Sequence, residues 1–157
     1  MEIAYVKGDA TCPRGAGPRV IVHVCNDLGA WGKGFVLAVS RKWPAAEQCY
    51  REWHRGEGSI PFGLGHVQFV EVEPALWVAN LIGQRGIRRS GAVPPVRYEA
   101  IQIGLSEIAG FAVAKQATIH MPRIGCGLAG GEWNRVAEIV QQELADKGLS
   151  VTVYDLE

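Results

Sequence analysis

The sequence lacks three features that would each define a class of protein. No apolar run approaches the roughly 20 residues that cross a bilayer, and no basic segment followed by an apolar one opens the chain, so we expect neither a membrane anchor nor a secretory signal. Its four cysteines show no C-x-x-C pair and no histidine spacing, which argues against a zinc site and a disulfide framework. We therefore expect a cytoplasmic protein with no metal and no cofactor.

The chain also carries no formal net charge at pH 7. Sixteen Lys and Arg residues balance sixteen Asp and Glu residues, so no overall field attracts nucleic acid or an anionic membrane. A local exception is the run that contains Arg85, Arg88 and Arg89, for which a solvated surface is the commoner explanation. With 48% apolar residues, the chain can bury a proper core, and we expect residues 1–157 to form a single, monomeric domain.

Apolar strands alternate with helical patterns along the chain, which is typical of an α/β protein. Strands are predicted at residues 2–7, 19–25, 65–72, 76–82, 117–121 and 150–154. Helices are predicted at residues 34–42, 44–55, 96–115 and 132–147. The long, turn-rich connection at residues 83–95 is long enough to serve a function.

Four glycines separate the strand at 117–121 from the helix at 132–147. Glycine lets the main chain approach an anion closely, and a helix start offers unpaired N–H groups, so this segment predicts a diphosphate site. Residues 125–130 also match G-x-G-x-x-G, but too few strands follow to build a Rossmann crevice. The alternative is a glycine-rich connection that binds nothing.

A second loop of this kind follows the apolar strand at 19–25. It contains Gly29, Gly32 and Gly34, and because Lys33 is followed by glycine it is not a P-loop. The carboxyl ends of parallel strands share one edge of a sheet, so both loops can hold one ligand from opposite sides.

Several segments, read in chain order, resemble the macro domain family. They are Tyr5-Val6-Lys7-Gly8-Asp9, Ile21-Val22-His23-Val24-Cys25-Asn26, Gly29-Ala30-Trp31-Gly32-Lys33-Gly34-Phe35, Met121-Pro122-Arg123-Ile124-Gly125-Cys126-Gly127 and Tyr154-Asp155-Leu156. The chain is most similar to the branch with the terminal ADP-ribose protein glycohydrolase and the yeast ADP-ribose-1''-phosphate phosphatase. The resemblance implies a three-layer α/β/α fold with a mixed six-stranded sheet, and ADP-ribose, free or on a protein, across the strand ends.

The resemblance also implies ligand contacts. Asp9 would accept a hydrogen bond from the adenine amino group beside the Ala10 amide, and Asn26 would bond hydroxyls of the distal ribose. Asp9 and Asn26 could instead cap their own loops, and Trp31 could pin its loop rather than shield the ribose. The remaining implied contacts are Trp31, Gly32, Lys33, Gly34, Phe35, Gly125, Cys126, Gly127, Leu128 and Ala129.

Two departures from the branch concern its chemistry. In the glycohydrolase, a lysine after the fourth strand attacks the distal ribose and an aspartate after the G-C-G-L segment completes the reaction, whereas this chain has Gln84 and Ala129 there. An amide forms no imine-type intermediate and alanine is neither acid nor base, so we do not expect that mechanism.

Three candidates for catalysis remain. Asn26 would hold the distal ribose in its reactive pose, Asp27 would position a water, and His23 would touch the distal site. A solvated loop carboxylate and a satisfied core histidine are the alternatives for Asp27 and His23.

The sequence as a whole predicts an ADP-ribose-binding protein that hydrolyses an ADP-ribose derivative at the distal ribose. The substrate would be an ADP-ribosyl ester on an acidic side chain or ADP-ribose-1''-phosphate. The alternative is a non-catalytic module that reads ADP-ribosylated targets, which the missing lysine and aspartate favour.

Overall fold

Six strands form a single mixed sheet in the computed structural model, which describes residues 1–156. The strands are β1 (Ala4–Lys7), β2 (Arg19–Asn26), β3 (Val67–Glu73), β4 (Leu76–Gln84), β5 (Thr118–Met121) and β6 (Val151–Asp155). Their order in the sheet is β1-β6-β5-β2-β4-β3. The hairpin partners β3 and β4 pair antiparallel, and all the other neighbours pair parallel. The expected mixed six-stranded α/β sheet is confirmed.

Within residues 1–156, four α-helices cover the sheet. They are α1 (Phe35–Lys42), α2 (Pro44–His54), α3 (Tyr98–Lys115) and α4 (Trp133–Glu143). Pro44 occupies the first turn of α2, where its missing N–H breaks no helical bond. None of the helices in residues 1–156 combines the length and apolar character that a bilayer crossing requires.

The structure differs from the sequence prediction mainly at element ends. The predicted helix at 132–147 stops at Glu143 and continues as a short 3₁₀ turn at Ala145–Lys147, a common tightening at a helix C-terminus. Strand β4 runs two residues further than predicted, to Gln84, which pairs with Asn26 next to a register shift. That extension places Gln84 beside the end of β2.

Apolar residues of β2 explain why both faces of the sheet are covered. Val20 and Val22 belong to a core cluster with α3 and α4, whereas Ile21 between them packs in a second cluster with α1 and α2. Alternate residues of a strand point to opposite faces, so a continuous apolar run fits a strand buried on both sides. The three-layer arrangement follows from that run.

The carboxyl ends of the five parallel strands lie along one edge of the sheet. Asp9 follows β1 at one end of this edge, and the connection after Gln84 follows β4 at the other. Four strand spacings separate β1 from β4, a span of about 19 Å. An elongated ligand lying along this edge would therefore meet both ends.

Candidate functional site

A cavity of about 310 Å³ opens between two loops at the carboxyl edge of the sheet. We call residues 26–34, which follow β2, the first glycine loop, and residues 122–131, which follow β5, the second glycine loop. The volume lies at the lower end of the range typical of small-molecule sites. The cavity is lined by His23, Val24, Lys33, Gly34, Phe35, Val36, Gln84, Pro122, Arg123, Ile124, Gly125, Gly127, Leu128 and Ala129.

Glycines of the second glycine loop fall into two groups. A Cβ at Gly125 would lie 3.0 Å from the Ile101 side chain, and Gly125 has a φ of +72°, so this glycine shapes the loop. A Cβ added at Gly127 would meet no atom within 4 Å, and Gly127 has no positive φ. Gly127 therefore leaves open space on the side of the cavity.

The helix start that borders the cavity belongs to α1. Gly34, Phe35 and Val36 line the cavity, and no side chain caps the first turn of α1. The sequence analysis placed the anion at the start of the helix after the second glycine loop instead. There, the N–H of Glu132 donates to the Tyr98 hydroxyl at 2.9 Å, outside the cavity. This part of the prediction is corrected, because the start of α4 does not line the cavity whereas the start of α1 does.

Asn26 caps the first glycine loop from within. Its buried Oδ1 accepts hydrogen bonds from the N–H groups of Leu28 (2.9 Å) and Ala30 (3.3 Å), and its Nδ2 donates to the Ala30 carbonyl. The hydroxyl of Tyr50 donates to the Asn26 carbonyl at 2.6 Å. The structure thus shows the loop-capping role of Asn26, and its contact with a distal ribose stays a prediction.

Asp27 and Gln84 both hold the backbone of Gly86. The Asp27 Oδ1 accepts from the Gly86 N–H at 2.7 Å, and the Gln84 Nε2 donates to the Gly86 carbonyl at 2.9 Å. Gln84 lines the cavity and Asp27 does not. The geometry therefore gives Asp27 a positioning role for the loop after β4, and its predicted hold on a water stays a prediction.

His23 lies at the floor of the cavity as a neutral side chain. It is 2% exposed, and its Nε2 lies 2.5 Å from the Oδ1 of Asn80. The Nδ2 of Asn80 donates to the Ala46 carbonyl (3.2 Å) and to Gln68 Oε1 (3.0 Å), which leaves Oδ1 as the acceptor for a proton on Nε2. Burial lowers the pKa of His23 to about 4. Its Nδ1 therefore carries a lone pair, and among the described residues it has no partner.

Trp31 is part of the core rather than of the cavity wall. Its buried indole donates from Nε1 to the Val36 carbonyl at 2.9 Å and lies edge-on to the His23 ring, with centroids 5.5 Å apart. Of the two roles left open for Trp31, the structure shows the one that pins the loop. Trp31 does not line the cavity, whereas Phe35 does.

Cys126 turns away from the cavity, although both of its neighbours line it. Its Sγ lies 3.3 Å from the Ile124 carbonyl, and burial raises the pKa of the thiol. The neutral thiol is a poor nucleophile.

Leu128, by contrast, lines the cavity while remaining 71% exposed, so it forms part of the open rim of the cavity. No group of three potential metal ligands converges in residues 1–156.

Asp9 lies beyond the cavity, at the β1 end of the sheet edge. Its Oδ1 accepts from the Thr11 N–H (2.8 Å) and the Thr11 hydroxyl (2.7 Å), and the side chain is exposed. Ala10 beside it is buried. The turn uses Oδ1, and within residues 1–156 no donor reaches Oδ2. Asp9 can therefore cap its own turn and still accept a hydrogen bond from adenine.

Arg123 is a cavity residue to which the sequence analysis assigned no contact. It forms a bidentate ion pair with Asp155, at 2.7 and 3.0 Å, and lies over the rings of Tyr5 (5.5 Å) and Trp133 (5.4 Å). The hydrogen bond from Arg123 lowers the pKa of Asp155. The sequence did contain a signal for this residue. Arg123 lies between a proline and the glycine-rich segment, so its cation stands beside the predicted anion site.

Comparison with known proteins places this geometry in a family, although no protein-family model matches the chain. A macrodomain protein from Streptomyces coelicolor is 56% identical, with a TM-score of 0.87 and with 98% of this chain and 99% of that chain covered. The chain belongs to the macrodomain family. A protein of unknown function from Bacteroides thetaiotaomicron is 55% identical to this macrodomain, with a TM-score of 0.95 and 99% of each chain covered.

More distant relatives of this macrodomain carry functional names. The Saccharomyces cerevisiae ADP-ribose 1''-phosphate phosphatase is 24% identical, with 99% of each chain covered. The bovine ADP-ribose glycohydrolase is also 24% identical, over 99% of this chain and 92% of that protein. Mouse chromodomain-helicase-DNA-binding protein 1-like is 27% identical over 98% of this chain, which spans only 18% of that protein.

Thermosipho africanus DarTG in complex with ADP-ribose shares the fold of this macrodomain. The TM-score is 0.78 at 19% identity, with 99% of this chain and 42% of that chain covered. At this identity the similarity concerns the fold.

Proposed function

We propose that this macrodomain binds ADP-ribose with the diphosphate between the two glycine loops and hydrolyses an ADP-ribose derivative at the distal ribose. The observation that carries the proposal is the cavity between these loops. At Gly34 and Gly127 an added Cβ would meet nothing within 4 Å, so bare main chain faces the space where a diphosphate would lie. The names of the yeast and bovine relatives support this ligand class.

The sheet edge gives the ligand its direction. Asp9 offers a carboxylate oxygen at the β1 end, which suits the amino group of adenine. Four strand spacings away, Gln84 lines the cavity at the β4 end. An adenine beside Asp9 and a diphosphate between the loops then leave the distal ribose near Gln84 and His23.

Both departures from the glycohydrolase pattern lie in the cavity itself. Gln84 and Ala129 line it, so neither a lysine nucleophile nor an aspartate is supplied at these two positions. His23 is a weak base, since burial lowers its pKa to about 4, and its buried Nδ1 has no partner among the described residues. We infer that a water attacks a substrate that main-chain N–H groups of the two glycine loops hold in place.

The second candidate is a non-catalytic reader of ADP-ribosylated proteins. It is favoured by one observation: the titratable side chains that line the cavity are His23, Lys33 and Arg123, and none of them is a carboxylate. A reader needs only the binding loops. An enzyme of this design would depend on orientation rather than on proton transfer by a side chain.

Product analysis separates the two candidates. The protein is incubated with a peptide that carries an ADP-ribosyl ester on glutamate and, separately, with ADP-ribose-1''-phosphate, and released ADP-ribose is measured by chromatography. We expect release from at least one substrate. Binding of ADP-ribose without release from either would support the reader, and absence of both would contradict the proposal.

Gln84→Ala serves as the internal control for this experiment. We expect its turnover to stay within about tenfold of the parent, because an amide offers no nucleophilic amine to lose. A collapse of turnover in this variant, with ADP-ribose affinity unchanged, would show that Gln84 takes part in the chemistry.

A further inference from the structure

Five arginines that have no carboxylate partner within residues 1–156 line two cavities next to the proposed ADP-ribose site. Four belong to residues 85–97, which we call the arginine loop, and the fifth, Arg135, comes from α4. None of the five forms a salt bridge within the described part of the chain, where the ion pairs all lie elsewhere. The chain has no net charge, so this is a local concentration of positive charge. The members of the arginine loop are Arg85, Arg88, Arg89 and Arg97.

These arginines line two adjoining cavities. The smaller, of about 430 Å³, is bounded by Arg85, Arg88 and Arg97 together with Ser90 and Val93, and no acidic residue lines it. The larger, of about 850 Å³, shares Val93 and Arg97 with the smaller one. The two cavities therefore form one continuous surface with a strongly basic end.

The larger cavity is less basic and more apolar. Arg89, Arg97 and Arg135 are partly balanced there by Glu99 and Glu132. Apolar side chains also line this cavity, and two of them are largely exposed to solvent, Val93 at 53% and Ile103 at 62%. Such a surface can take apolar side chains of a partner beside a cluster of its carboxylates.

The arginine loop is fixed against the proposed ADP-ribose site. Gln84 lines that site and is followed directly by Arg85, and the bonds from Asp27 and Gln84 hold Gly86. On the other side, the Val96 N–H donates to the Ala129 carbonyl at 3.0 Å. A chain attached to the distal ribose would therefore leave the site next to the arginines.

Arg97 is ordered before any partner arrives. Its Nη1 donates to the carbonyls of Pro94 (2.7 Å), Pro95 (3.1 Å) and Val96 (2.9 Å). A guanidinium held in this way loses little conformational entropy when it binds an anion. The basic end of the surface is thus partly preorganised.

A peptide fits this surface better than a nucleic acid. Single-stranded nucleic acid is held by aromatic rings on which bases stack. Tyr98 is the aromatic residue that lines the larger cavity, but the Arg135 guanidinium covers its ring at 3.8 Å and its hydroxyl accepts from Glu132. Arginines beside apolar contacts match the recognition of acidic peptide segments.

On the basis of the proposed function, we propose that the arginine loop and its two cavities bind the acidic peptide segment that carries the ADP-ribosyl group. Carboxylates that flank the modified side chain would lie against Arg85, Arg88 and Arg97 at the smaller cavity. The neighbouring apolar side chains of the peptide would pack in the larger one. The protein would thereby select ADP-ribosylated sites in acidic surroundings.

The test uses two peptides that carry the same ADP-ribosyl group through a stable amide linkage. One has Asp and Glu beside the modified residue, and the other has Asn and Gln at the same positions. Calorimetry measures the affinity of each peptide and of free ADP-ribose. We expect the acidic peptide to bind about tenfold more tightly than the neutral one, since two or three charge-assisted contacts are added.

Two double variants with the same change in charge provide the control. Arg85→Gln with Arg88→Gln should remove most of the advantage of the acidic peptide while leaving the affinity for free ADP-ribose unchanged. Arg41→Gln with Arg55→Gln, at exposed positions in and just after the helices on the other face, should retain that advantage.

Three results would overturn the inference while leaving the ADP-ribose site intact. The first is equal affinity for the two peptides in the parent, and the second is an advantage that survives in the Arg85/Arg88 variant. The third is displacement of the acidic peptide by an unmodified single-stranded oligonucleotide at similar concentration, which would make the surface a nucleic-acid site. Failure of free ADP-ribose to bind would instead contradict the proposed function.

Discussion

The two glycine loops flank one cavity but are held in place in different ways. Side chains fasten the first loop: Asn26 caps it from within, Trp31 anchors it to α1, and Tyr50 ties its start to α2. Main-chain bonds close the second loop, including Gly131 N–H to the Gly125 carbonyl at 2.8 Å. The first loop is therefore fixed mainly by side chains and the second by its main chain, and each leaves open space at a glycine, Gly34 and Gly127.

The largest effect should come from the second loop. Gly127→Val should abolish ADP-ribose binding and keep a cooperative unfolding transition, because the new side chain enters open space that the diphosphate needs. Gly125→Val should destabilise the fold itself, since it combines a φ of +72° with a Cβ 3.0 Å from Ile101. Calorimetry and thermal unfolding measure the two outcomes. Retained binding in the Gly127 variant would show that the diphosphate lies elsewhere.

His23, in the strand that leads into the first loop, should make the stability of the protein depend on pH. The pKa of His23 is about 4 in the folded protein, against 6.5 for an unperturbed histidine, so protons bind preferentially to the unfolded chain below pH 6.5. The free energy of unfolding should fall on acidification from about pH 6.5 to about pH 4, by on the order of 3 kcal/mol from this group. Denaturant titrations of the parent and of His23→Gln at several pH values measure this. An identical pH dependence in both proteins would exclude His23 as the source.

A smaller loss of stability should follow from removing the cap of the first loop. Asn26→Ala leaves the N–H groups of Leu28 and Ala30 without their acceptor, which should lower the free energy of unfolding by about 2 kcal/mol. Binding of ADP-ribose, measured where the variant is folded, should weaken less than the stability falls. Unchanged stability with lost binding would instead support the contact between Asn26 and the distal ribose that the sequence predicts.

The smallest effect should lie outside both loops, at Asp9. Asp9→Asn keeps an oxygen for the bonds from Thr11 but replaces the free carboxylate oxygen by an amide donor, so ADP-ribose should bind about 1–2 kcal/mol more weakly. Thr11→Val is the control, since it removes a bond within the turn and leaves the free carboxylate oxygen. Equal affinity of Asp9→Asn and the parent would mean that adenine does not contact this carboxylate.

The sequence predicted most of the fold because its signals are local. The apolar run at 19–25 and the helix boundary at Pro44 depend on neighbouring residues alone, and each predicted strand and helix is present. The site was harder to predict because one residue type can either contact a ligand or fix the loop in which it lies. Asn26 and Trp31 turned inward because backbone partners lie within reach, which only the folded loop reveals.

Which helix start lines the cavity could not be read from the sequence for a similar reason. Both glycine loops precede a helix, but Gly34, Phe35 and Val36 at the start of α1 line the cavity, whereas the start of α4 does not. Arg123 was likewise defined by its partners Asp155, Tyr5 and Trp133, which come from other parts of the chain. Contacts between distant segments decide these features.

A calorimetric titration of the parent protein with ADP-ribose and with AMP tests the central claim most directly. Two glycine loops that hold the diphosphate, with a carboxylate for adenine, predict one site per chain with micromolar affinity for ADP-ribose and clearly weaker binding of AMP. Equal affinity for the two nucleotides, or no heat of binding with ADP-ribose at millimolar concentration, would contradict the assignment of the cavity between the glycine loops.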